Sequence, residues 1–122
     1  MNWYKKAQTN EEIKKIKNSL EYIFNKLAED WNVKPNWDAS YILNVSIEKH
    51  DSIDLKGESW FQVSHNRNSI NYSENKTSVN VQRYFENEYM DQEYGFSVNV
   101  EFDYQNPAEG YLKITRKIKE LS

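Results

Sequence analysis

The sequence contains no cysteine, only three glycines and only two prolines in 122 residues. Without cysteine there are no disulfides and no thiolate metal sites, which fits a reducing cytoplasm. With so few glycines, the chain has no glycine-rich loop of the kind that cradles phosphates. No segment approaches the roughly 18 apolar residues of a membrane span, and residues 1–12 hold no apolar run of signal-peptide length. We therefore expect a cytoplasmic protein that does not contact membranes.

The composition is that of one folded domain over residues 1–122 with a polar surface. The formal net charge is -3, and 15% of the residues are aromatic, including four Trp and nine Tyr. A disordered chain would be poor in aromatics, and this length suffices for a single core. Lysine outnumbers arginine 13 to 3, and asparagine is abundant. Such usage is typical of AT-rich coding and indicates a bacterium, a phage or a mobile element.

An amphipathic helix is predicted over about 10–31. Apolar residues recur there at steps of three or four, which is the spacing of one helix face. They are Ile13, Ile16, Leu20, Ile23, Leu27 and Trp31. Thr9 and Glu12 form a capping box at its start. The same spacing fits three heptads of a coiled coil, but a helix that packs on a core is the commoner cause.

Four stretches alternate between apolar and polar residues, the pattern of half-buried strands. They are 41–49, 58–65, 77–85 and 94–104. The last is the most regular, with Phe96, Val98, Val100, Phe102 and Tyr104 on one side. Ile70 and Tyr72 indicate a further short strand. Pro35 ends the first helix in a connection over 32–40. Trp37 in this connection is interpreted as a cap on the core, with an exposed contact residue as the alternative.

A second helix is predicted after Asn106, with Asn106 as its cap, Pro107 in its first position and Glu109 in its first turn. Its apolar stripe is Tyr111, Ile114, Ile118 and Leu121. The fold class predicted is a two-layer α+β domain. It consists of an N-terminal helix, an antiparallel meander sheet of three to five strands and a C-terminal helix.

If both helices cover one face of the sheet, the other face meets solvent. This outer face is expected to carry the polar side of each strand. Its predicted members come from Asn44, Glu48, Trp60, Gln62, Asn80, Gln82, Tyr84, Asn99, Glu101 and Asp103.

Charge is unevenly spread along the chain. Residues 84–112 contain seven acids and no Lys or Arg, with several Tyr among the acids. This acidic-aromatic segment is interpreted either as a solvated hairpin loop or as a surface for a basic partner, because complementary charge speeds association and selects partners. The candidate partner-binding residues are Tyr84, Glu86, Glu88, Tyr89, Asp91, Glu93 and Tyr94, followed by Glu101 and Asp103.

The sequence holds no convincing catalytic group, so we expect no enzyme, no cofactor and no metal. His50, Asp51 and Asp54 are candidate ligands of a hard metal ion, but residues of these types in a polar loop are more often ordinary turn residues. Ser64 and His65 are adjacent, so their side chains face opposite sides of a strand and cannot form a nucleophile and base pair by themselves. A ligand pocket would need a buried polar residue on an apolar stripe, and no good candidate stands out.

Helix, strands and helix is also the element order of double-stranded-RNA-binding domains. Those domains place a basic cluster at the start of the last helix, where this sequence has Lys113, Arg116 and Lys117. The similarity is one of order only. The acids that precede these cations would repel the phosphates that supply most of the affinity for nucleic acid, which argues against direct nucleic-acid binding.

The leading functional hypothesis is a small inhibitor that binds another protein through the acidic-aromatic segment. Its two concrete forms are an immunity protein and an anti-defence inhibitor of a phage or mobile element. The expected partner is a basic protein, for example one that itself binds nucleic acid. The alternatives are a small-ligand-binding or hydrolytic α+β domain, nucleic-acid binding through the basic last helix, and self-association through a sheet edge or face.

Overall fold

The computed structural model describes residues 10–38, 43–52, 58–86 and 92–121. These ranges hold two α-helices, five strands and a 3-10 helix at Arg67–Ser69. The helices are α1 (Asn10–Trp31) and α2 (Pro107–Glu120), and the strands are β1 (Asn36–Trp37), β2 (Val45–Ser52), β3 (Glu58–His65), β4 (Lys76–Glu86) and β5 (Gln92–Asp103). The described strands form one antiparallel sheet in the order β1-β2-β3-β4-β5. The predicted α+β fold with a meander sheet is confirmed.

Helix α1 has the bounds that its apolar stripe predicts. The fully buried members of the stripe are Ile16, Leu20, Ile23 and Leu27. Burying each such side chain is worth about 1.5 to 3 kcal/mol before entropy is deducted. Thr9 of the predicted capping box lies outside the described residues. The carboxylate of Glu12 accepts a hydrogen bond from the Tyr104 hydroxyl, which ties the start of α1 to the chain just after β5.

Helix α2 begins as predicted. The Asn106 side chain accepts a hydrogen bond from the backbone amide of Glu109, and Pro107 occupies the first turn. Ile114 is fully buried, and the other predicted stripe residues pack against the core around it. The Tyr111 hydroxyl donates to Asp30 of α1, so the two helices are also joined near their solvent side. Of the helices in the described ranges, neither combines the length and the apolar character needed to cross a membrane.

The strands match their predictions to different degrees. β3 has the predicted bounds, β4 extends its predicted range by one residue at each end, and β5 begins two residues earlier and ends one residue earlier than predicted. β2 starts at Val45 and runs on to Ser52, while residues 41–42 of the predicted first strand lie outside the described residues. The connection predicted over 32–40 contains the two-residue β1. Ile70 and Tyr72 flank an isolated bridge between Asn71 and Lys76, so this stretch is a turn and not a strand.

The core lies between the helices and the inner face of the sheet, the face that both helices cover. Inward residues of the strands alternate with outward ones, as period-two patterning requires. Those buried are Val45, Ile47, Phe61, Val63, Val79, Val81, Val100 and Phe102. Trp37 packs at the margin of this cluster, edge-on to Phe24 with ring centroids 6.5 Å apart. The interpretation of Trp37 as a cap on the core is confirmed.

Gly110 sits in the first turn of α2, where glycine costs helix propensity. Close packing around this position explains why a glycine occurs there. A Cβ built on Gly110 would lie 2.6 Å from Cδ2 of Phe102 and 3.2 Å from Cδ1 of Ile23. Only a residue without a side chain lets the start of α2 approach β5 and α1 this closely.

Candidate functional site

The outer face of the sheet, the face turned away from both helices, is defined by the strand register. Its side chains are exposed or half-buried. They belong to Ser46, Glu48, His50, Trp60, Gln62, Ser64, Lys76, Ser78, Asn80, Gln82, Tyr84, Ser97, Asn99, Glu101 and Asp103. The predicted members are confirmed except for Asn44, which precedes β2 and accepts a hydrogen bond from the Arg67 amide. The strand residues of this face are almost wholly polar, with one aromatic exception.

That exception is a row of three stacked rings that we call the aromatic ladder: His50 on β2, Trp60 on β3 and Tyr84 on β4. His50 pairs with Trp60 and Trp60 pairs with Tyr84 in the strand register. The ring centroids are 5.6 Å and 5.2 Å apart, and each pair of planes is 16° from parallel. Because cross-strand neighbours lie about 5 Å apart, register alone brings these rings into contact.

Polar side chains of the adjacent row hold the ladder in place. Glu48 Oε2 lies 3.2 Å from His50 Nε2, and Glu48 Oε1 accepts from Gln62 Nε2 at 3.3 Å. At the other end the Tyr84 hydroxyl donates to Gln82 at 2.8 Å. The Glu48 and His50 side chains are about half exposed, so the contact between them adds little stability. These polar contacts instead constrain the orientation of the His50 and Tyr84 rings.

The ladder presents ring edges to solvent. Trp60 lies between His50 and Tyr84, so both faces of the indole are covered. A nucleic-acid base or a sugar ring binds aromatic side chains by stacking on a free face. The middle of the ladder therefore offers no platform for such ligands, whereas a flat row of ring edges and polar atoms suits contact with another protein.

The acidic-aromatic segment is only partly placed. Tyr84 belongs to the ladder, and the backbones of Glu86, Glu93 and Tyr94 lie in β4 and β5, where Tyr94 is the register partner of Tyr84. Glu88, Tyr89 and Asp91 lie outside the described residues.

Glu101 and Asp103 are exposed on the outer face, as predicted, but far from the ladder. Tyr84 is six residues along β4 from Ser78, the register partner of Glu101, or about 20 Å in an extended strand. Lys76 Nζ lies 3.6 Å from Glu101 and offsets part of its charge. Tyr84 and the pair Glu101 and Asp103 thus lie toward opposite ends of the outer face.

His50 was expected to begin a turn, and the sequence reasoning left Trp60 out of the candidate site. The structure places His50 inside β2 and makes both residues part of the ladder. A signal was present: Trp60 and Tyr84 both fall on the polar side of their strands. What alternation within one strand does not reveal is which residues stand opposite each other on neighbouring strands.

The sequence offered no good candidate for a buried polar residue on an apolar stripe. The structure contradicts this expectation, because His65 is such a residue. It follows Phe61 and Val63 on the inner face of β3 and is 4% exposed. Nδ1 bonds to the carbonyl of Leu43, and Nε2 lies 2.8 Å from the Thr77 hydroxyl. Burial lowers the pKa of His65 to about 4, and the backbone hydrogen bond to Leu43 opposes the shift in part.

His65 is therefore neutral at pH 7, with Nδ1–H donating to Leu43 and Nε2 accepting from Thr77. Both ring nitrogens are occupied by the fold itself, so His65 has no nitrogen to offer as a base. Ser64 faces the outer side, opposite to His65, as predicted. Asp54 of the alternative metal cluster lies outside the described residues. Among the residues that are described, no group of three or more His, Asp or Glu is placed to hold a metal ion.

A groove of about 440 Å³ lies between α1 and the start of α2. Its lining includes Lys15, Asn18, Ser19 and Gln105. Ser19 is 1% exposed, and its hydroxyl oxygen has no hydrogen-bond partner among the residues that the structure describes. A buried polar atom without a partner is uncommon in folded proteins and calls for an explanation.

Comparison of the chain with protein-family models, with curated proteins and with solved structures found no match. The function must therefore be argued from the outer face and the grooves themselves.

Proposed function

We propose that the protein binds another protein through the outer face of its sheet and inhibits it. The observation that supports this best is the aromatic ladder: three rings held in register and oriented by hydrogen bonds on a face that both helices leave uncovered. Aromatic residues are enriched in interface cores because they supply large contact area at a low entropic cost. Because the rings are already oriented in the free protein, binding a partner loses less side-chain entropy.

The charges of the outer face favour a basic partner. Glu48, Glu101 and Asp103 lie on this face, and Lys76 at one end is the cation among its described strand side chains. Such a surface attracts a basic protein and repels phosphates. The cations of the last helix, which gave the nucleic-acid hypothesis its basis, lie on α2 on the opposite side of the sheet. The size of the protein and its Lys- and Asn-rich composition support two forms of this proposal, a cytoplasmic immunity protein and an anti-defence inhibitor.

The test is capture of a partner from cell lysate with the wild-type chain and with Trp60→Ala in parallel, after nuclease treatment. The proposal expects a basic protein in the first sample and its loss from the second. With the purified partner, Trp60→Ala should weaken binding at least about 30-fold, the effect of a central interface residue worth about 2 kcal/mol. Calorimetry or biolayer interferometry measures it.

Leu112→Ala is the matched control, because it removes an apolar side chain that is 54% exposed on α2, away from the outer face. It should leave binding unchanged. Trp60→Ala should cost no more than about 2 kcal/mol of stability, the size of the two cross-strand pairs that it removes, and a thermal melt checks that it is folded. A partner that binds Trp60→Ala as tightly as the wild type would contradict the proposal, and so would a partner lost on nuclease treatment.

A second candidate function, small-ligand binding, is favoured by the groove at Ser19. A ligand that donates a hydrogen bond there would satisfy the orphaned hydroxyl oxygen. Ser19→Ala should leave the free protein as stable or raise its stability by up to about 1 kcal/mol, because no hydrogen bond is lost and an unsatisfied polar atom is removed.

A thermal-shift screen of metabolites is the measurement. The ligand hypothesis expects one chemical class to raise the melting temperature of the wild type, and expects Ser19→Ala to lose that increase. If no class raises it, or if the increase survives in Ser19→Ala, the groove is not a ligand site that uses Ser19.

A further inference from the structure

Strand β5 forms an edge of the sheet. Among the described strands it has one neighbour, β4, so its other side carries backbone amides and carbonyls that none of these strands pairs. An edge of this kind is a template for the strand of another chain unless it is blocked. β5 is 12 residues long, which is ample for such pairing.

The hydrogen bonds near the end of β4 identify which groups point outward. Lys76 exchanges both of its backbone hydrogen bonds with Asn71, on the side away from β5, and the Tyr104 amide donates to the carbonyl of Asn75. In an antiparallel pair, hydrogen-bonded positions alternate. Phe102, Val100 and Val98 therefore bond to β4, and the outward amides and carbonyls belong to Ser97, Asn99 and Glu101.

A groove of about 300 Å³ runs between this edge and α2. Asn99 and Glu101 line its strand side, and Lys113, Arg116, Lys117 and Glu120 line its helix side. Lys113 lies 3.9 Å from Glu109 and Lys117 lies 2.9 Å from Glu120, whereas Arg116 has no ion-pair partner among the described residues. With three cations against Glu120, the helix side of the groove carries an excess of positive charge, and the outer-face side carries Glu101.

We propose that the β5 edge accepts an acidic, extended segment of a partner protein by strand addition. A strand added to β5 turns alternate side chains toward the α2 layer and the others toward the outer face. Acids at the positions facing α2 would meet Lys113, Arg116 and Lys117. Neutral or basic side chains suit the other positions, next to Glu101. The segment recognised therefore alternates acidic with small polar or basic residues.

Charge also argues against a second copy of this chain as the occupant. Pairing of β5 with its own copy about a twofold axis would bring the two α2 helices side by side. The Lys113, Arg116 and Lys117 clusters of the two copies would then repel each other, whereas an acidic segment neutralises them.

This inference does not rest on the proposed function, because the edge and the aromatic ladder use different groups. Variants of the helix cations leave the ladder intact, and Trp60→Ala leaves the edge intact. Failure of one proposal is therefore distinguishable from failure of the other.

The test uses the full chain labelled with ¹⁵N and a synthetic peptide of about nine residues in which Glu alternates with Thr, at about 1 mM. Amide exchange measured by NMR should slow at Ser97, Asn99 and Glu101, whose amides point outward. The amides of Val98 and Val100, which already bond to β4, should change little. A peptide with Lys in place of Glu should give no protection.

Lys113→Gln combined with Arg116→Gln should weaken binding of the Glu peptide about tenfold or more, since each removes one cation from the groove. Lys119→Gln is the matched control, because this lysine is on the same helix but does not line the groove. The proposal is overturned if the Glu peptide leaves the three amides unprotected, if the Lys peptide protects them equally, or if they become protected without peptide as protein concentration rises. The last result would assign the edge to a second copy.

Discussion

The free energy of unfolding is expected to fall by about 3 kcal/mol between pH 7 and pH 4 through His65 alone. The pKa of His65 is about 4 in the folded protein and 6.5 when unfolded. Above pH 6.5 His65 binds no proton in either state, so its contribution to the free energy of unfolding is fully present. Between these two values His65 is protonated in the unfolded chain and not in the folded one. The free energy of unfolding therefore falls by about 1.4 kcal/mol for each pH unit that the pH is lowered.

Urea unfolding at several pH values measures this loss, and His65→Gln isolates it. The variant lacks the titrating ring while retaining hydrogen-bonding groups, so the carboxylates contribute equally to both proteins. The stability advantage of the wild type over His65→Gln should therefore shrink as pH falls from 7 to 4. A wild-type advantage over His65→Gln that stays constant across this range would contradict the prediction.

Phe102→Ala is expected to destabilise the protein by about 3 to 5 kcal/mol, the cost of deleting a buried aromatic ring and leaving a cavity. Phe102 is 1% exposed and lies where β5 meets the first turn of α2, against Gly110. Because the ring fills the space beside a glycine, no neighbouring side chain is placed to collapse into it from that side. Denaturant unfolding monitored by circular dichroism measures the change.

The same contact predicts a coupling that a cavity alone would not produce. Gly110→Ala should cost about 1 to 3 kcal/mol in the wild type, because its methyl group overpacks the Phe102 ring, despite a gain of about 1 kcal/mol in helix propensity. In the Phe102→Ala background the clash is gone, so Gly110→Ala should be neutral or stabilising. Thr115→Ala on the same helix should have the same small effect in both backgrounds. Additive effects of Phe102→Ala and Gly110→Ala would show that the two sites do not interact.

The sequence predicted the parts of the fold that depend on near neighbours in the chain. The stripe of α1, the cap and first turn of α2, and the two faces of β5 all follow from periodicity and terminal residues within about 20 positions. The same alternation placed Trp60, Tyr84, Glu101 and Asp103 on the outer face. These features were predictable because each is set by the local geometry of a helix or a strand.

The candidate site was predicted less completely, because it depends on residues distant in sequence. Tyr84 was identified within the acidic-aromatic segment, but its ring partners His50 and Trp60 come from two other strands. The outward amides of Ser97, Asn99 and Glu101 become a site only because β5 is last in the sheet. No pattern within one strand specifies the order of strands or the register between them.

By itself, the sequence determined a helix, an antiparallel meander and a second helix, with a polar face opposite the helices. The tertiary structure decided that His65 is buried and neutral, and that His50, Trp60 and Tyr84 stack. It also decided that the Phe102 ring packs directly against Gly110, where a side chain would clash. The physical reason is the same for all three. Burial, ring stacking and close packing are contacts across the chain, whose energies depend on distances between elements that local patterning leaves open.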